Sequence, residues 1–230
     1  AKMEDIQQKL YDAEVLRMKN ELSEQSEEAF RHGKIELLAE LMRIRQICCD
    51  PSLLFENYKD DSAKRLACLE LVQSAIEGGH RILLFSQFTS MLSLLEKDLT
   101  DAGIEWYTIT GSTPKQERVD LVRRFNEGDT PVFLISLKAG GTGLNLVGAD
   151  TVIHYDPWWN VAAQNQATDR AHRIGQTRTV NVYKLIGKDS IEEKILKLQK
   201  DKQDLADEIL SGETRSISSF SKDELLELLG

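Results

Sequence analysis

The spacing of hydrophobic positions along this chain changes near Ser62. Before that residue, apolar positions recur every three or four residues, which is typical of amphipathic helices. The denser of two helical stripes ends at Asp50-Pro51, because a residue that precedes proline is disfavoured in the helical conformation. Residues 1–60 are therefore expected to form an elongated helical segment. The looser first stripe consists of Leu10, Ala13, Leu16 and Leu22, and the second of Ile35, Leu38, Leu41, Met42, Ile44, Arg45 and Ile47.

After Ser62, short apolar runs alternate with amphipathic segments. Continuous apolar strands that alternate with helices predict an α/β fold, in which a parallel sheet is covered by helices on both faces. The predicted strands are 81–85, 106–109, 132–135, 151–155 and 180–186. The predicted helices are 63–77, 89–101, 113–126, 161–172, 190–210 and 221–229.

Three of the predicted helices begin with a serine or threonine three positions before Glu or Gln. This spacing is the signature of a capping box, in which side chains satisfy the first backbone N–H groups of a helix. The three residues are Thr113, Ser190 and Ser221. After Thr113, Pro114 is expected at the first helical position.

Four loops of the predicted sheet should lie on one edge, since each follows the carboxyl end of a parallel strand. Open α/β sheets bind their ligands at this edge. The loops are 86–89, 110–114, 136–145 and 156–160.

The segment from Gln166 to Gln176 carries the most specific chemistry. Arg170 and Arg173 stand three residues apart and Gln166 precedes Arg170 by one helical turn, so that all three are expected on one helix face. Two planar, permanently charged guanidinium groups suit a grip on a phosphate chain. Salt bridges on the surface are the alternative. The usual partner of such a grip, a Gly-x-x-x-x-Gly-Lys-Ser/Thr loop, does not occur in this sequence.

The loop after the third predicted strand is rich in glycine. Gly140, Gly141 and Gly143 follow Lys138 closely, and glycines allow a backbone to present its N–H groups to phosphate. The alternative interpretation is a tight turn at the end of the strand, which would also need glycines at these positions. The loop is not a dinucleotide-binding fingerprint, because Leu146 stands where the third glycine would be.

Two adjacent tryptophans, Trp158 and Trp159, follow the fourth predicted strand. Neighbouring side chains point apart, so one of them either joins the core or stacks at a partner or nucleic-acid surface. His154 and His172 have no companions at ligand spacing and are interpreted as structural residues.

Composition and charge limit the possible functions. The 230 residues are 41% hydrophobic and 29% charged, as in ordinary globular proteins. The net charge of −9 argues by itself against binding to nucleic acid. However, the stretch Arg170–Lys188 contains five Lys or Arg and no acidic residue, and screening limits charge effects to about 8 Å. Cys48, Cys49 and Cys68 lack metal-site spacing, and we interpret them as reduced, packed thiols.

The N-terminus has no apolar signal-peptide core, and no apolar run approaches the length of a membrane span, about 18 residues. The missing initiator methionine suggests a chain excised from a longer protein.

Six segments, taken in chain order, closely resemble motifs IV, V and VI of the SWI/SNF-type helicase-like ATPases of superfamily 2. The resemblance covers about residues 62–200. The segments are Ile82–Thr89, Gly111–Thr113 with Arg118, Phe125-Asn126, Lys138–Leu146, Asp150–Asp156 and Gln166–Gly175. Upstream, Gln8–Tyr11 and Ile44–Pro51 resemble the helical segment between the two lobes of these enzymes, and 188–210 resembles their brace helix.

The resemblance implies a second RecA-like lobe of an ATP-dependent double-stranded-DNA translocase. ATP and Mg²⁺ would be bound mainly by an N-terminal lobe that carries the P-loop and an Asp-Glu box. Arg170 and Arg173 would act as arginine fingers, and Gln166, Gly141 and Gly143 would bind or couple to ATP. This ATP hydrolase would be inactive as the 230-residue chain alone. The residues implied for DNA contact are Ser86, Gln87, Ser112, Thr113, Ser136, Lys138, Gly140, Trp158 and Trp159.

The resemblance also implies three regions: an inter-lobe helical protrusion at 1–60, the lobe at 61–187, and a brace helix with a tail at 188–230. Lys138 and Thr142 fit a bacterial-looking branch, which implies a cytoplasmic, nucleoid-associated protein rather than a nuclear one that acts on nucleosomes. Val161 departs from the family, which often has proline there. Two alternatives stay open, an RNA-directed superfamily 2 helicase lobe and a non-catalytic nucleic-acid or protein-binding module.

Overall fold

The computed structural model describes residues 1–140, 144–158, 161–171, 176, 178–208 and 221–230. The chain divides into two units. One consists of Arg65–Leu185, and the other joins Ala1–Lys64 with Ile186–Gly230. The two terminal segments that the sequence analysis treated as separate regions therefore belong to one unit, because contacts between distant parts of the chain decide the division.

The secondary structure follows the predicted alternation. The strands are β1 (Ile82–Ser86), β2 (Trp106–Ile109), β3 (Val132–Ser136), β4 (Thr151–His154) and β5 (Asn181–Lys184). The helices are α1 (Asp5–Glu24), α2 (Glu27–His32), α3 (Lys34–Cys49), α4 (Ala63–Glu77), α5 (Thr89–Asp101), α6 (Lys115–Glu127), α7 (Leu137–Gly140), α8 (Val161–Thr168), α9 (Ile191–Glu208) and α10 (Lys222–Leu229). A short 3₁₀ turn covers Pro51–Leu53, directly after the predicted helix end. No helix in the described ranges is long and apolar enough to cross a membrane.

The five strands form one parallel sheet in the order β2-β3-β1-β4-β5, which confirms the predicted α/β architecture. β1 lies at the centre, and its Leu84 is in register with Leu134 of β3 and Ile153 of β4. Every residue of β1, β3 and β4 is buried. Because the sheet is parallel, the exit loops of β1 to β4 lie on its carboxyl edge, as expected.

The core on one side of the sheet joins strand residues to helix residues. Phe125 of α6 lies against Phe133 of β3, with ring centroids 5.1 Å apart, and Ala167 of α8 belongs to the same cluster. The fifth predicted strand is present, but it is not covered as the other strands are. β5 is an edge strand whose Val182 and Tyr183 are exposed, because it has a neighbour on one side only.

In the unit that joins Ala1–Lys64 with Ile186–Gly230, called the helical unit below, the buried face of α1 agrees with the predicted stripe only at Leu22. Leu16 is 60% exposed, whereas Tyr11, Met18 and Leu22 are buried. The same face carries a polar contact, in which the amide of Gln7 donates to the backbone oxygen of Ile47 at 2.8 Å. In α3 the predicted stripe holds from Leu41 to Ile47, but Ile35 is exposed.

The three predicted capping boxes have three outcomes. The box at Ser221 is present, with both reciprocal hydrogen bonds to Glu224. At Ser190 the hydroxyl accepts from the N–H of Glu192 instead. The box at Thr113 was wrong, because this hydroxyl accepts from the N–H of Thr110 and shapes the preceding turn. Pro114 is the N-cap of α6 rather than its first residue.

Candidate functional site

The exit loop of β1 is organised around a carboxylate from the exit of β4. Ser86 Oγ donates to Asp156 Oδ1 at 2.5 Å. The side-chain amide of Gln87 donates to Asp156 Oδ2 at 2.6 Å, and the Gln87 N–H lies 3.3 Å from both carboxylate oxygens. Ser86 is fully buried and Asp156 is 1% exposed. Asp156 was not among the site residues predicted from the sequence, although a carboxylate at the carboxyl end of a strand was a usable signal.

The exit loop of β2 is held by Arg118 of α6. Its guanidinium donates to the backbone oxygens of Thr113, at 2.8 Å, and of Thr110 and Gly111. Ser112 is exposed, and its hydroxyl lies 2.8 Å from that of Thr110. Three backbone carbonyls thus accept hydrogen bonds from one guanidinium, and the loop is held in shape with Ser112 at its surface.

The exit of β3 turns at once into α7, where the sequence indicated a glycine-rich loop. The Ser136 hydroxyl accepts from the N–H of Ala139 at 3.3 Å, and Ser136 is buried. Lys138 and Gly140 belong to the helical turn, but the Lys138 side chain lies outside the described part of the structure. Gly141 and Gly143 also lie outside the described residues.

The exit of β4 is tied to α8. The N–H of Trp158 donates to Gln164 Oε1 at 3.2 Å, and the Trp158 side chain packs against the core. This supports the core interpretation for Trp158, while Trp159 lies outside the described residues. In β4 itself, His154 Nε2 lies 2.9 Å from the Thr168 hydroxyl. Its ring stacks on Phe85 at 5.6 Å.

The environment of His154 favours its neutral form. Burial lowers the pKa of this imidazole to about 4, and the positive charge of Lys184 acts in the same direction. Since His154 is buried, it serves as a neutral spacer between β4 and α8, in agreement with the structural role predicted from the sequence. His172 lies outside the described residues.

Arg170 does not continue α8 as the sequence predicted. The helix ends at Thr168, and the Arg170 N–H bonds back only three residues, to Ala167 O. The carbonyl of Arg170 accepts from the N–H of Leu146 at 3.0 Å, which draws the turn toward the β3–β4 connection. Arg170 is 2% exposed, whereas Gln166 is exposed on α8. Arg173 lies outside the described residues, so its geometry relative to Arg170 stays a prediction.

Gln176 fastens the end of this segment. Its amide nitrogen lies 2.6 Å from Ala149 O and 3.2 Å from both Val147 O and Ala171 O. Its oxygen accepts from the N–H of Arg178 at 2.9 Å. The sequence marked Gln176 only as the end of a motif, because a clamp on three carbonyls depends on the tertiary fold.

A second carboxylate, Asp150, lies at the opposite edge of the sheet, just before β4. It accepts from Arg178 at 3.0 Å and from the N–H of Arg81 at 3.1 Å, and it lies 3.1 Å from His80 Nδ1. Burial raises the pKa of Asp150, but the bonds from Arg178 and His80 outweigh this effect and hold the pKa below its ordinary value. This cluster lies before the amino end of β4, opposite the exit loops.

Comparison with known proteins identifies the class. The family model for the helicase conserved C-terminal domain matches residues 63–175. An uncharacterized ATP-dependent helicase from Mycoplasma pneumoniae is 38% identical over 224 residues, which is 97% of this chain and 21% of the relative. A putative ATP-dependent helicase/translocase from Bacillus subtilis, YwqA, is 42% identical over 201 residues, or 85% of this chain and 22% of the relative.

Solved structures agree with this class. The Sulfolobus solfataricus SWI2/SNF2 ATPase core in complex with dsDNA matches 99% of this chain and 48% of its own, with a TM-score of 0.78 and 32% identity. The SWI2/SNF2 ATPase C-terminal domain of the same organism matches 99% of this chain and 94% of its own, with a TM-score of 0.78 and 28% identity.

The fold and these matches define a helicase C-terminal domain of the RecA-like type. Within that class, the chain belongs to the SWI2/SNF2-type ATP-dependent helicases and is their C-terminal lobe. The chain spans only about a fifth of the length of the curated bacterial relatives that it matches.

Proposed function

We propose that this lobe works in an ATP-dependent translocase that moves along double-stranded DNA. The observation that carries the proposal is the shared carboxyl edge of a parallel sheet, where the exits of β1, β2, β3 and β4 gather the predicted DNA-contact residues. Support comes from the similar SWI2/SNF2 ATPase core, which was solved in complex with dsDNA. The edge that ordinarily holds ligands in such sheets would here follow a DNA backbone.

Exposure and hydrogen bonding in the exit loops suggest which residues contact DNA directly and which shape the loops. Ser112 is exposed, and Thr113 is partly exposed in a turn that Arg118 holds rigid, so both are proposed to meet DNA phosphates directly. The buried hydroxyl of Ser86 is engaged with Asp156 at the exit of β4, and that of Ser136 is engaged within its own loop. For these two we propose a loop-shaping role, with contact through neighbouring backbone groups. Lys138, Gly140 and Trp159 complete the proposed track, and Trp158, which packs against the core, is proposed to support it from beneath.

ATP and Mg²⁺ are proposed to bind mainly to a partner lobe with a P-loop. Arg173 and Arg170 would reach the γ-phosphate as arginine fingers, while Gln166, Gly141 and Gly143 would couple nucleotide binding to closure. An arginine finger contributes roughly 10³-fold or more to the rate of phosphoryl transfer. Because Arg170 is buried in the turn after α8, we assign the direct contact first to Arg173.

The regional roles and the setting are also proposals. Residues 1–60 would form the protrusion between lobes and 188–230 the brace helix with its tail, around a lobe at 61–187. Relatives from Mycoplasma and Bacillus support a bacterial protein associated with the nucleoid.

The decisive experiment measures ATP hydrolysis by the longer protein that carries this lobe. Hydrolysis is compared without nucleic acid and with duplex DNA, single-stranded DNA or RNA at equal nucleotide concentration. We expect the largest stimulation from duplex DNA. Stronger stimulation by RNA would instead support the RNA-directed helicase, and no stimulation by any of them would support a binding module.

A second measurement addresses the division of labour between lobes. The 230-residue chain alone is expected to hydrolyse no appreciable ATP, and addition of the separate N-terminal lobe should restore DNA-stimulated turnover. Robust hydrolysis by the chain alone would contradict the proposed half-site.

A further inference from the structure

Three hydrogen-bond donors of the β1 exit converge on one carboxylate. They are the hydroxyl of Ser86, the backbone N–H of Gln87 and the side-chain amide of Gln87, all directed at Asp156. The Ser86 hydroxyl also accepts from the N–H of Phe88 at 3.1 Å. The carboxylate therefore determines the conformation of three consecutive residues, up to the start of α5.

Burial shows that these donors serve the fold of the loop. Ser86 is 0% exposed and Asp156 is 1% exposed, so a DNA phosphate cannot reach the hydroxyl without displacing the carboxylate. Hydrogen bonds to a charged acceptor are stronger than neutral ones. A buried carboxylate must also be compensated, so the loop is held closely to this geometry.

Asp156 is connected in the other direction as well. Two residues further along the chain, the N–H of Trp158 donates to Gln164 of α8. On the same strand, His154 reaches Thr168 of α8. The exit of β4 is thus attached to the β1 exit on one side and to the helix that carries Gln166 on the other.

We propose that Asp156 is a positioning residue that holds Gln87 and the start of α5 in the geometry required for DNA contact. This inference rests on the proposed DNA-translocase function. Asp156 itself touches neither DNA nor nucleotide, and it acts through the loop that it shapes. Its loss should therefore affect the concentration of DNA needed for stimulation more than the turnover that saturating DNA allows.

The test uses Asp156→Asn in the longer protein. An amide keeps the shape of the carboxylate but replaces one acceptor by a donor that faces the donors of Gln87. We expect the duplex-DNA concentration for half-maximal ATPase stimulation to rise about tenfold, as for the loss of a charged hydrogen bond. The maximal rate should fall much less, and the KM for ATP should change by less than about twofold.

The matched control is Asp150→Asn, which changes a buried carboxylate at the other end of β4. Asp150 also accepts several hydrogen bonds, so its substitution should reduce thermal stability comparably. Its half-saturating DNA concentration should stay within about twofold of the unchanged protein. Thermal unfolding of both variants shows whether each is folded at the assay temperature.

A double variant tests whether restoring the hydrogen bond between residues 87 and 156 restores the DNA response. Gln87→Glu combined with Asp156→Asn exchanges donor and acceptor across the same contact, and it should recover a large part of the lost DNA response. Gln87→Ala removes only one of the donors to Asp156, so it should raise the half-saturating concentration less than Asp156→Asn does.

The outcomes separate the two proposals. Absence of stimulation by duplex DNA in the unchanged protein would overturn both the translocase function and this inference. Normal stimulation, with Asp156→Asn indistinguishable from Asp150→Asn, would overturn the positioning role alone. A loss confined to the maximal rate or to the KM for ATP would also overturn it.

Discussion

The ammonium of Lys64 lies 2.6 Å from a carboxylate oxygen of Glu192, and both side chains are at most 1% exposed. The second oxygen of Glu192 accepts from the N–H of Gly187 at 2.7 Å. Burial lowers the pKa of Lys64, but the neighbouring charge of Glu192 outweighs it and raises the pKa above its ordinary value. This pair joins residues 128 positions apart within the helical unit.

Lys64→Met should therefore be strongly destabilising. Removal of one partner leaves a buried charge without compensation, which costs about 3–5 kcal/mol. Urea unfolding of the full chain measures this cost. The double variant Lys64→Met/Glu192→Met should cost less than the sum of the single variants. Arg123→Met, which breaks an exposed pair with Asp120, should change stability by less than about 1 kcal/mol. Similar costs for the buried and exposed pairs would contradict this account.

Gln176→Ala should loosen the end of the motif segment. The three carbonyls near the amide of Gln176 would lose their donor, at a cost of about 1–3 kcal/mol. Gln176→Glu should be worse, because a carboxylate would face these carbonyls. Gln73→Ala, at an exposed position of α4, is the control. Thermal unfolding that ranks alanine below glutamate in stability would be evidence against the clamp.

The stability of the chain should fall in mild acid because of His154. Its folded-state pKa, about 4, lies below the ordinary value of 6.5, so the unfolded chain binds the proton more readily. Protonation of His154 therefore leaves the free energy of unfolding unchanged above pH 6.5. As the pH falls toward 4, it lowers that free energy by about 3 kcal/mol at most.

His154→Phe keeps a ring beside Phe85 and removes this titration. In this variant the decline in unfolding free energy between pH 7 and pH 4.5 should be smaller. The exposed His32 of α2 is the control, and His32→Gln should keep the decline of the unchanged chain. Equal slopes for all three proteins would refute the assignment to His154.

In the longer protein, Arg173→Ala should remove nearly all DNA-stimulated ATP hydrolysis, roughly 10³-fold or more, while duplex-DNA affinity changes little. Arg170→Ala should lower turnover and also the melting temperature, since Arg170 is buried. Arg123→Ala, at an exposed position of α6, is the matched control. Near-normal turnover after substitution of Arg173 would exclude it as the finger.

Most of the fold could be predicted from local sequence patterns. The runs Ile82–Phe85 and Val132–Ile135 are too apolar for any place other than a covered sheet, and the glycine and proline positions bounded the helices between them. Parallel pairing then follows from alternation with helices. It places the exit loops on one edge of the sheet, so the sequence alone predicts the location of the candidate site.

Other features depend on contacts between residues that are distant in the sequence, and the hydrophobic pattern does not predict these contacts. No local signal shows that Gln7 of α1 bonds to Ile47, and the buried face of α1 was predicted correctly only at Leu22. Nor does spacing show that the Arg170 carbonyl pairs with Leu146, which bends the chain away from α8. Hydrophobic periodicity indicates which face of a segment faces the core, but the partner of a buried polar group depends on the tertiary fold. For that reason the sequence determined the sheet, its ligand-binding edge and the motif residues, and only the structure showed that Ser86 and Gln87 turn inward to Asp156.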